Sequence, residues 1–180
     1  FLLFIILTGC KSQADIDNDE LTKLIQSDRY TDAIQLSTRL IDKYPNDARF
    51  YYGRGYCYLK SSLIKAKEDF SNCIRIDSKY QNGYYGLAMV YLTEGQLDLA
   101  EKNYYKAIGM ASNNERKATF LGGLSDVYAV KKDYKKAIEI QKQAIEIEDE
   151  GSYYLWLGEY LLADGQRQEA ELIWLKAISE

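Results

Sequence analysis

The sequence predicts an all-α protein built from repeated pairs of helices. Small residues recur along the chain at a nearly constant spacing, which is typical of a repeat protein. The chain has 180 residues, only one proline and 17 tyrosines. This composition suits long helices with aromatic packing better than a sandwich of short strands separated by turns.

The clearest repeat is a set of alanines whose successive members are 33, 34, 37 and 33 residues apart. They are Ala33, Ala66, Ala100, Ala137 and Ala170. A second set of small residues keeps nearly the same separations, and a large residue follows each of its members three positions later. The small residues are Gly55, Ala88, Ser125 and Gly158, and the large ones are Tyr58, Tyr91, Tyr128 and Leu161. Helix-turn-helix repeats of about 34 residues have this spacing.

The third unit shows the whole pattern in order. It contains Tyr84, Leu87, Ala88, Tyr91, Gly95, Leu97, Ala100, Tyr104 and Ala107. This order resembles the tetratricopeptide-repeat family, in which small residues allow two antiparallel helices to approach and large residues fill the gaps between units. The resemblance implies an all-α solenoid of about five helix-turn-helix repeats that forms a right-handed superhelix.

The repeat domain is expected to span residues 18–180. The approximate limits of its five units are 14–47, 48–80, 81–114, 115–150 and 151–180. The first unit diverges most, with Leu21 at a position that usually holds a small residue, as is common for a terminal repeat. Gly95 and Gly165 are predicted to end the first helix of their units in the left-handed region.

The N-terminus has the pattern of an exported protein. An unbroken apolar run from Phe1 to Leu7 is too short to span a bilayer, which needs roughly 20 apolar residues, and residues 1–9 are interpreted as the remnant of a signal peptide. Leu7-Thr8-Gly9-Cys10 resembles the lipobox of bacterial lipoproteins. That resemblance implies cleavage before Cys10 and attachment of acyl chains, which would anchor the protein in the membrane. The alternative is an uncleaved apolar tail with an incidental cysteine.

The predicted location is therefore the bacterial cell envelope. By resemblance to the sorting rule of Gram-negative lipoproteins, Lys11 directly after the lipidated cysteine favours the outer membrane. Residues 10–17 are interpreted as the lipidated cysteine and a polar tether between lipid and repeats.

The composition argues against catalysis and against nucleic-acid binding. Without any histidine, the chain cannot form a Ser-His-Asp triad or a histidine-ligated metal site. No phosphate-binding glycine motif or nucleophile elbow is present, so no enzyme activity, cofactor or metal is predicted. The formal charge of −4, with no stripe of basic residues, makes nucleic acid an unlikely partner.

A partner-binding groove is predicted from the family resemblance, which places the first helix of each unit on a concave surface. The predicted groove residues are Arg49, Tyr52, Tyr56, Lys60, Asn82, Tyr85, Met89, Asp126, Trp156 and Glu159. Aromatic rings and methionine suit an extended peptide or a partner helix. The alternative is that some of the rings only pack between neighbouring helices.

Two further patterns bear on this groove. A subclass of the family grips the C-terminal carboxylate of chaperones with Lys, Asn and Arg at set positions, which here hold other residues. Those positions carry Tyr52, Tyr56, Tyr85, Met89, Asp126 and Glu159, so such a clamp is not expected. Gly53, Gly86 and Gly123 recur beside the groove positions, either for close approach of a ligand backbone or for close helix packing.

The sequence thus predicts a non-catalytic scaffold for protein–protein interaction, lipid-anchored in the envelope. The alternative is binding of glycan or peptidoglycan on the rings of Tyr52, Tyr56, Tyr85 and Trp156. Cys57 and Cys73 are interpreted as buried thiols, with a disulfide as the alternative. Trp174 stands at a packing position with no following unit, where an exposed apolar end or a protein contact is expected.

Overall fold

A computed structural model describes residues 11–179, and over this range the chain forms ten α-helices and no β-strand. The helices are α1 (Gln13–Gln26), α2 (Tyr30–Lys43), α3 (Ala48–Tyr58), α4 (Leu63–Ile76), α5 (Gln81–Thr93), α6 (Leu97–Gly109), α7 (Asn114–Val130), α8 (Tyr134–Ile147), α9 (Gly151–Ala163) and α10 (Arg167–Ser179). Successive helices pair into five hairpins, from α1 with α2 to α9 with α10. Within the described range, none of these helices is long and apolar enough to cross a bilayer.

The start of α1 differs from the sequence prediction. Ser12 caps the helix, because its hydroxyl accepts the Asp15 N–H while the Asp15 carboxylate accepts the Ser12 N–H. This reciprocal capping box satisfies two backbone donors and begins the helix at Gln13. Residues 13–17 therefore belong to α1, although their polar character had indicated a tether. The signal segment and Cys10 lie outside the described residues.

The repeat register coincides with the interior of the array. All five register alanines, from Ala33 to Ala170, have no exposed surface. Gly95 and Gly165 adopt positive φ angles of 72° and 85° in the turns between the helices of their hairpins. Asp28 and Lys132 occupy the same place in their own units and also have positive φ. Four of the five turns within hairpins thus contain one residue with a positive φ angle.

The order of helix contacts defines an inner face. Helix α1 contacts α3, α3 contacts α5 and α5 contacts α7, whereas the second helices pack mainly against first helices. The first helices α1, α3, α5 and α7 therefore lie side by side on the inner side of the array. Side chains that point away from the hairpin partners of these helices face a common groove.

Large aromatic side chains of the second helices are seated on glycines of the first helices. Phe70 of α4 is fully buried between Gly55 of α3 and Gly86 of α5. A Cβ atom at Gly86 would lie 2.4 Å from the Phe70 ring, and one at Gly55 would lie 2.8 Å from it. Both distances are too short for any side chain, so only glycine lets the helices approach this closely.

The same arrangement recurs further along. A Cβ atom at Gly123 would lie 2.3 Å from the Tyr104 ring, and one at Gly158 would lie 2.2 Å from Trp174. Gly53 faces Leu21, whose Cδ2 would lie 2.7 Å from such an atom, and this accommodates the large residue in the first unit. Gly53, Gly86 and Gly123 therefore serve close helix packing, which was the second of the two roles considered from the sequence.

Phe70 and Tyr104 each lie four residues after the repeated alanine of their helix. In two other second helices the same position holds a polar residue. Ser37 of α2 and Gln141 of α8 are both buried. The Ser37 hydroxyl donates to the Ala33 carbonyl at 2.7 Å. Gln141 accepts from the Ser125 hydroxyl at 2.7 Å and donates to the Tyr153 carbonyl at 2.9 Å. These bonds remove the penalty of burying an amide and a hydroxyl.

The cysteines of unit two are free thiols. Cys57 and Cys73 are buried and unbonded, and Cys73 donates to the Ala48 carbonyl at 3.3 Å. Burial raises the pKa of Cys57 to about 11 and raises that of Cys73 further. Both are therefore unreactive packing residues at neutral pH, and the disulfide alternative does not hold.

The last hairpin has an apolar outer side. Leu172, Leu175 and Ile178 of α10 are exposed, which agrees with the apolar end expected at the last hairpin of the described range. Trp174 itself is only half-exposed, because its ring lies against Gly158 and its indole N–H donates to the Leu155 carbonyl at 3.2 Å.

Substitution of Gly86 tests the aromatic–glycine packing. We expect Gly86→Ala to destabilise the fold by about 1–3 kcal/mol, because the new methyl group overlaps a buried ring that has no free space. Gly109→Ala is the matched control: nothing lies within 4 Å of a Cβ atom there, and a gain of about 0.4–1 kcal/mol is expected. Urea unfolding followed by circular dichroism measures both, and equal midpoints for the two variants would contradict this packing account.

Candidate binding groove

A cavity of about 480 Å³ opens on the inner face of the first three units and the start of the fourth. We call it the groove pocket. It is lined by Asn18, Leu21, Thr22, Ile25, Gln26, Arg49, Tyr52, Gly53, Tyr56, Tyr80, Gln81, Asn82, Ser112, Asn113 and Arg116. Four of the ten predicted groove residues therefore lie together in one pocket, namely Arg49, Tyr52, Tyr56 and Asn82. None of the lining residues is acidic.

Arg49 is already committed to ion pairs within the fold. Its guanidinium donates to Asp47 and, at 2.6 Å, to Asp15 of α1. The hydrogen bond from Arg49 lowers the pKa of Asp15 to about 2. This residue therefore joins α1 to α3 at the edge of the pocket, and its charge is balanced by two carboxylates.

Arg116 is the second cation of the groove pocket, and the sequence analysis had not selected it. It lies in the first turn of α7, where its backbone N–H is bonded to the Asn113 side chain at 2.8 Å. Its half-buried guanidinium makes no ion pair with any residue of the described range. In the groove pocket, Arg49 is therefore paired with carboxylates, whereas Arg116 is not paired within the described range.

Asn82 has an unsatisfied polar group. The side chain is 7% exposed, and its Oδ1 atom is the one buried side-chain polar atom without a hydrogen-bond partner in the described part of the chain. Its Nδ2 atom donates to the Tyr80 hydroxyl at 3.3 Å. Exchanging the amide oxygen and nitrogen still leaves one of the two without a partner, because Tyr80 is the side chain's only contact of this kind.

The aromatic wall of the groove pocket is anchored in the core. The Tyr52 ring lies 5.8 Å from Phe70, 6.3 Å from Tyr56 and 6.1 Å from Tyr80, measured between ring centroids. Burial raises the pKa of Tyr52 and raises that of Tyr80 to about 12, so both hydroxyls stay protonated at neutral pH. The wall therefore presents neutral rings in fixed positions.

A second cavity of about 300 Å³ lies at the other end of α3 and α5. We call it the Met89 pocket. It is lined by Tyr30, Tyr56, Cys57, Leu59, Lys60, Met89 and Thr93. The predicted residues Lys60 and Met89 lie here, and the Lys60 ammonium stands 5.5 Å from the centre of the Tyr30 ring. Tyr56 lines both pockets, which are therefore neighbours.

Tyr85 packs between helices, in contrast to its neighbours in the prediction. Its ring centroid lies 4.9 Å from that of Phe120 and 6.0 Å from that of Tyr104, and it lines neither pocket. Burial raises its pKa to about 12. Tyr52 holds the equivalent position in the previous unit, where Gly83 corresponds to Phe120, and Tyr52 lines the groove pocket.

The remaining three predicted residues lie apart from these two pockets. Asp126 accepts a hydrogen bond from the Tyr160 hydroxyl, and burial raises its pKa above the ordinary value. Trp156 is 55% exposed and stacks on Tyr160, with 6.4 Å between ring centroids, and Glu159 is exposed. The rings selected for glycan binding thus do not form one platform, because Tyr85 packs against Phe120 and Trp156 lies two units beyond Tyr85.

The site holds no arrangement typical of a metal centre. Across residues 11–179, no group of three or more Cys, Asp or Glu side chains is placed to hold an ion. The groove is instead built from rings, amides and two guanidinium groups.

Asp126 allows a pH test of the C-terminal half of the groove. Because burial raises its folded-state pKa, the ionised carboxylate destabilises the fold at neutral pH, and this penalty fades as the pH falls through the raised pKa towards 3.8. We expect Asp126→Asn to raise the unfolding midpoint at neutral pH, with a gain that shrinks on acidification.

Asp98→Asn is the control, because it is expected to change the stability in the opposite direction. Hydrogen bonding to Lys131 lowers its pKa, so Asp98→Asn is expected to lose stability at neutral pH rather than gain it. Thermal unfolding of both variants across the pH range measures the two effects. A gain for Asp126→Asn that is independent of pH would show that its burial as an anion has no cost.

Comparison with known proteins agrees with this geometry. Family models described as tetratricopeptide repeat match residues 20–65 and 80–150. Anaphase-promoting complex subunit 3 of Schizosaccharomyces pombe is 33% identical over 118 residues, which are 64% of this chain and 17% of that protein. Hsp70-Hsp90 organizing protein 2 of Arabidopsis thaliana is 26% identical over 102 residues, 56% of this chain and 18% of that protein. The chain thus spans under a fifth of the length of these relatives.

A solved structure supports the fold independently. The crystal structure of a thermophilic repeat protein of this class from Thermus thermophilus aligns with a TM-score of 0.82 at 23% identity, covering 92% of this chain and 90% of that one. The helix array, the packing register and the family-model matches agree, and the chain belongs to the tetratricopeptide-repeat family.

Proposed function

We propose that this chain is a non-catalytic scaffold for protein–protein interaction, held at a bacterial membrane by a lipid on Cys10, whose groove binds a protein or peptide partner. The observation that carries the proposal is that two neighbouring cavities, the groove pocket and the Met89 pocket, share Tyr56 on the inner side of α3. A relative named as an organizing protein for two chaperones supports a scaffold role. Lys11 after the cysteine favours an outer-membrane location.

The surface chemistry of the groove suits a protein ligand. Protein interfaces are centred on aromatic side chains, arginine and methionine, and Tyr56, Arg116 and Met89 supply all three. These side chains project from helices whose spacing is set by buried packing, so the backbone loses little conformational freedom when a partner binds. The groove is therefore preorganised to hold an extended segment or the face of a helix.

The groove needs no proton transfer for this role. The pKa values of Tyr52 and Tyr80 are raised, and the Arg49 guanidinium is bound by carboxylates. None of these three groups has a pKa near neutral pH, as a general acid or base would need. Positioning of a partner at the membrane is then the whole mechanism.

Tyr56 is the residue that tests the groove. We expect Tyr56→Ala to weaken partner binding by at least about tenfold, because this ring lines both pockets at their junction. Capture of solubilised envelope proteins by the wild type and the variant, identified by mass spectrometry and followed by affinity measurement with each captured protein, measures the effect.

Tyr105→Ala is the matched control for that experiment. Tyr105 is 48% exposed on the second helix α6, away from the groove, so the same truncation there is expected to leave capture unchanged. Circular dichroism of both variants establishes that they are folded. Full partner binding by a folded Tyr56→Ala variant would contradict the proposal that the partner binds in the groove.

The lipid anchor has a separate test. With a complete export signal placed before Phe1 and expression in a bacterial host, the wild type is expected to incorporate labelled palmitate and to enter the detergent phase on phase separation. Cys10→Ser is expected to lose both properties. Because Cys57 and Cys73 remain in this variant, label that persists would show acylation elsewhere and contradict the assignment to Cys10.

A further inference from the structure

A third cavity lies on the outer side of the array, between the second helices α6 and α8, and we call it the outer cleft. Its volume is about 390 Å³. Leu121 and Leu124 of α7 and Ile140 of α8 form its apolar floor, and all three are buried. Ile108 of α6 and Ile147 of α8 border this floor and are partly exposed. The outer cleft shares no residue with the groove pocket or the Met89 pocket.

The repeat register explains why this space is left. Leu121 lies four residues before Ser125, a member of the second set of small residues. The equivalent positions before Gly55, Ala88 and Gly158 all hold tyrosine, namely Tyr51, Tyr84 and Tyr154. The outer cleft therefore lies in the unit in which a smaller side chain replaces the ring.

Tyr84 shows how a ring fills this place in the preceding unit. Its side chain is 8% exposed and packs in a cluster with Ile74 of α4. Ile74 and Ile108 hold the same position, eight residues after the repeated alanine of their helix. The Lys106 ammonium stands 5.0 Å from the centre of the Tyr84 ring, and the equivalent Gln143 lines the outer cleft. The neighbours of the Tyr84 ring thus have counterparts around the outer cleft, but the ring itself has none.

The size and polarity of the outer cleft suit a ring that carries a hydroxyl group. An apolar cavity of about 150 Å³ is enough to bind benzene, so the outer cleft has room for such a ring. The Tyr84 hydroxyl donates to the Ser78 carbonyl, in the turn before α5, at 3.1 Å. In unit four, Lys117 from the first turn of α7 lines the cleft. Its ammonium group can donate to the oxygen of a phenol.

We infer that the outer cleft binds a small aromatic molecule of the phenol class, whose ring takes the place that a tyrosine side chain fills in the other units. Four charged side chains lie at the solvent-exposed rim, namely Lys117, Lys136, Glu139 and Glu146. The main chain of a protein partner would have to remove water from these charges, whereas a free ring would not. This inference goes beyond the scaffold function, because the cleft and the groove have no residue in common.

The test titrates the full chain, labelled at the isoleucine methyl groups, with phenol and follows the methyl signals by NMR. We expect the signals of Ile108, Ile140 and Ile147 to shift along one saturation curve. The signal of Ile25, which lines the groove pocket, is expected to stay in place. Cyclohexanol lacks the flat aromatic ring and is expected to bind at least about threefold more weakly than phenol.

Two reciprocal variants identify the site. Leu121→Tyr supplies the missing ring from within the chain, so we expect it to weaken phenol binding by at least about tenfold. It is also expected to remove the rise in thermal midpoint that phenol causes in the wild type. Tyr84→Leu makes the reverse exchange in unit three and is expected to open a second site there. Phenol then shifts the Ile74 methyl signal, which does not move in the wild type.

Three results would overturn the inference. They are phenol shifts confined to Ile25, unchanged phenol affinity in folded Leu121→Tyr, and equal binding of phenol and cyclohexanol. Binding of N-acetyl-tyrosine amide as tight as that of phenol would overturn the assignment to a free molecule, in favour of a tyrosine side chain of a protein partner. If Leu121→Tyr does not fold, a folded Tyr84→Leu variant whose Ile74 signal is unmoved by phenol decides against the inference. Partner capture by Tyr56→Ala tests the groove separately.

Discussion

The contact on which the rest of this structure depends is that between a buried aromatic ring of a second helix and a glycine of the next first helix. Phe70 reaches Gly86 and Tyr104 reaches Gly123, with no room for a Cβ atom at either glycine. These contacts set how closely α5 and α7 approach the preceding hairpins. Because the first helices lie side by side as a result, their inner faces form one groove rather than separate ridges.

The groove is not uniform along the array, and the packing register explains why. Units two and three carry aromatic rings at the buried position, whereas unit four carries Gln141, which is satisfied by Ser125 and Tyr153. The polar network of unit four continues to Tyr160 and Asp126. The N-terminal half of the groove thus has aromatic walls and an unbalanced cation, and the C-terminal half has a buried carboxylate. A partner that spans both halves would contact aromatic rings and a guanidinium group in the first half and a carboxylate in the second.

Whether a predicted residue lines one of the two pockets depends on the next unit as well as on its own. Tyr52 and Tyr85 hold equivalent positions, but only Tyr52 lines the groove pocket, and the Tyr85 ring packs against Phe120 of the next unit. Arg116 was not selected because it lies three residues before Thr119, the position of unit four that is equivalent to Asn82. A signal was present in the sequence, since a basic residue lies two positions after the Ser112-Asn113-Asn114 segment.

The sequence by itself determined the helical class, the number of hairpins and the placement of small and large packing residues, because each of these depends on contacts within one unit or between adjacent units. It also determined the lipobox pattern around Cys10, which is a local motif. Only the tertiary structure decided which side chains share a pocket, since the groove pocket takes residues from α1, α3, α5 and the turn before α7. It alone showed that the Oδ1 atom of Asn82 has no hydrogen-bond partner and that Arg116 has no ion pair among the described residues, because satisfaction of a polar group depends on every neighbour at once.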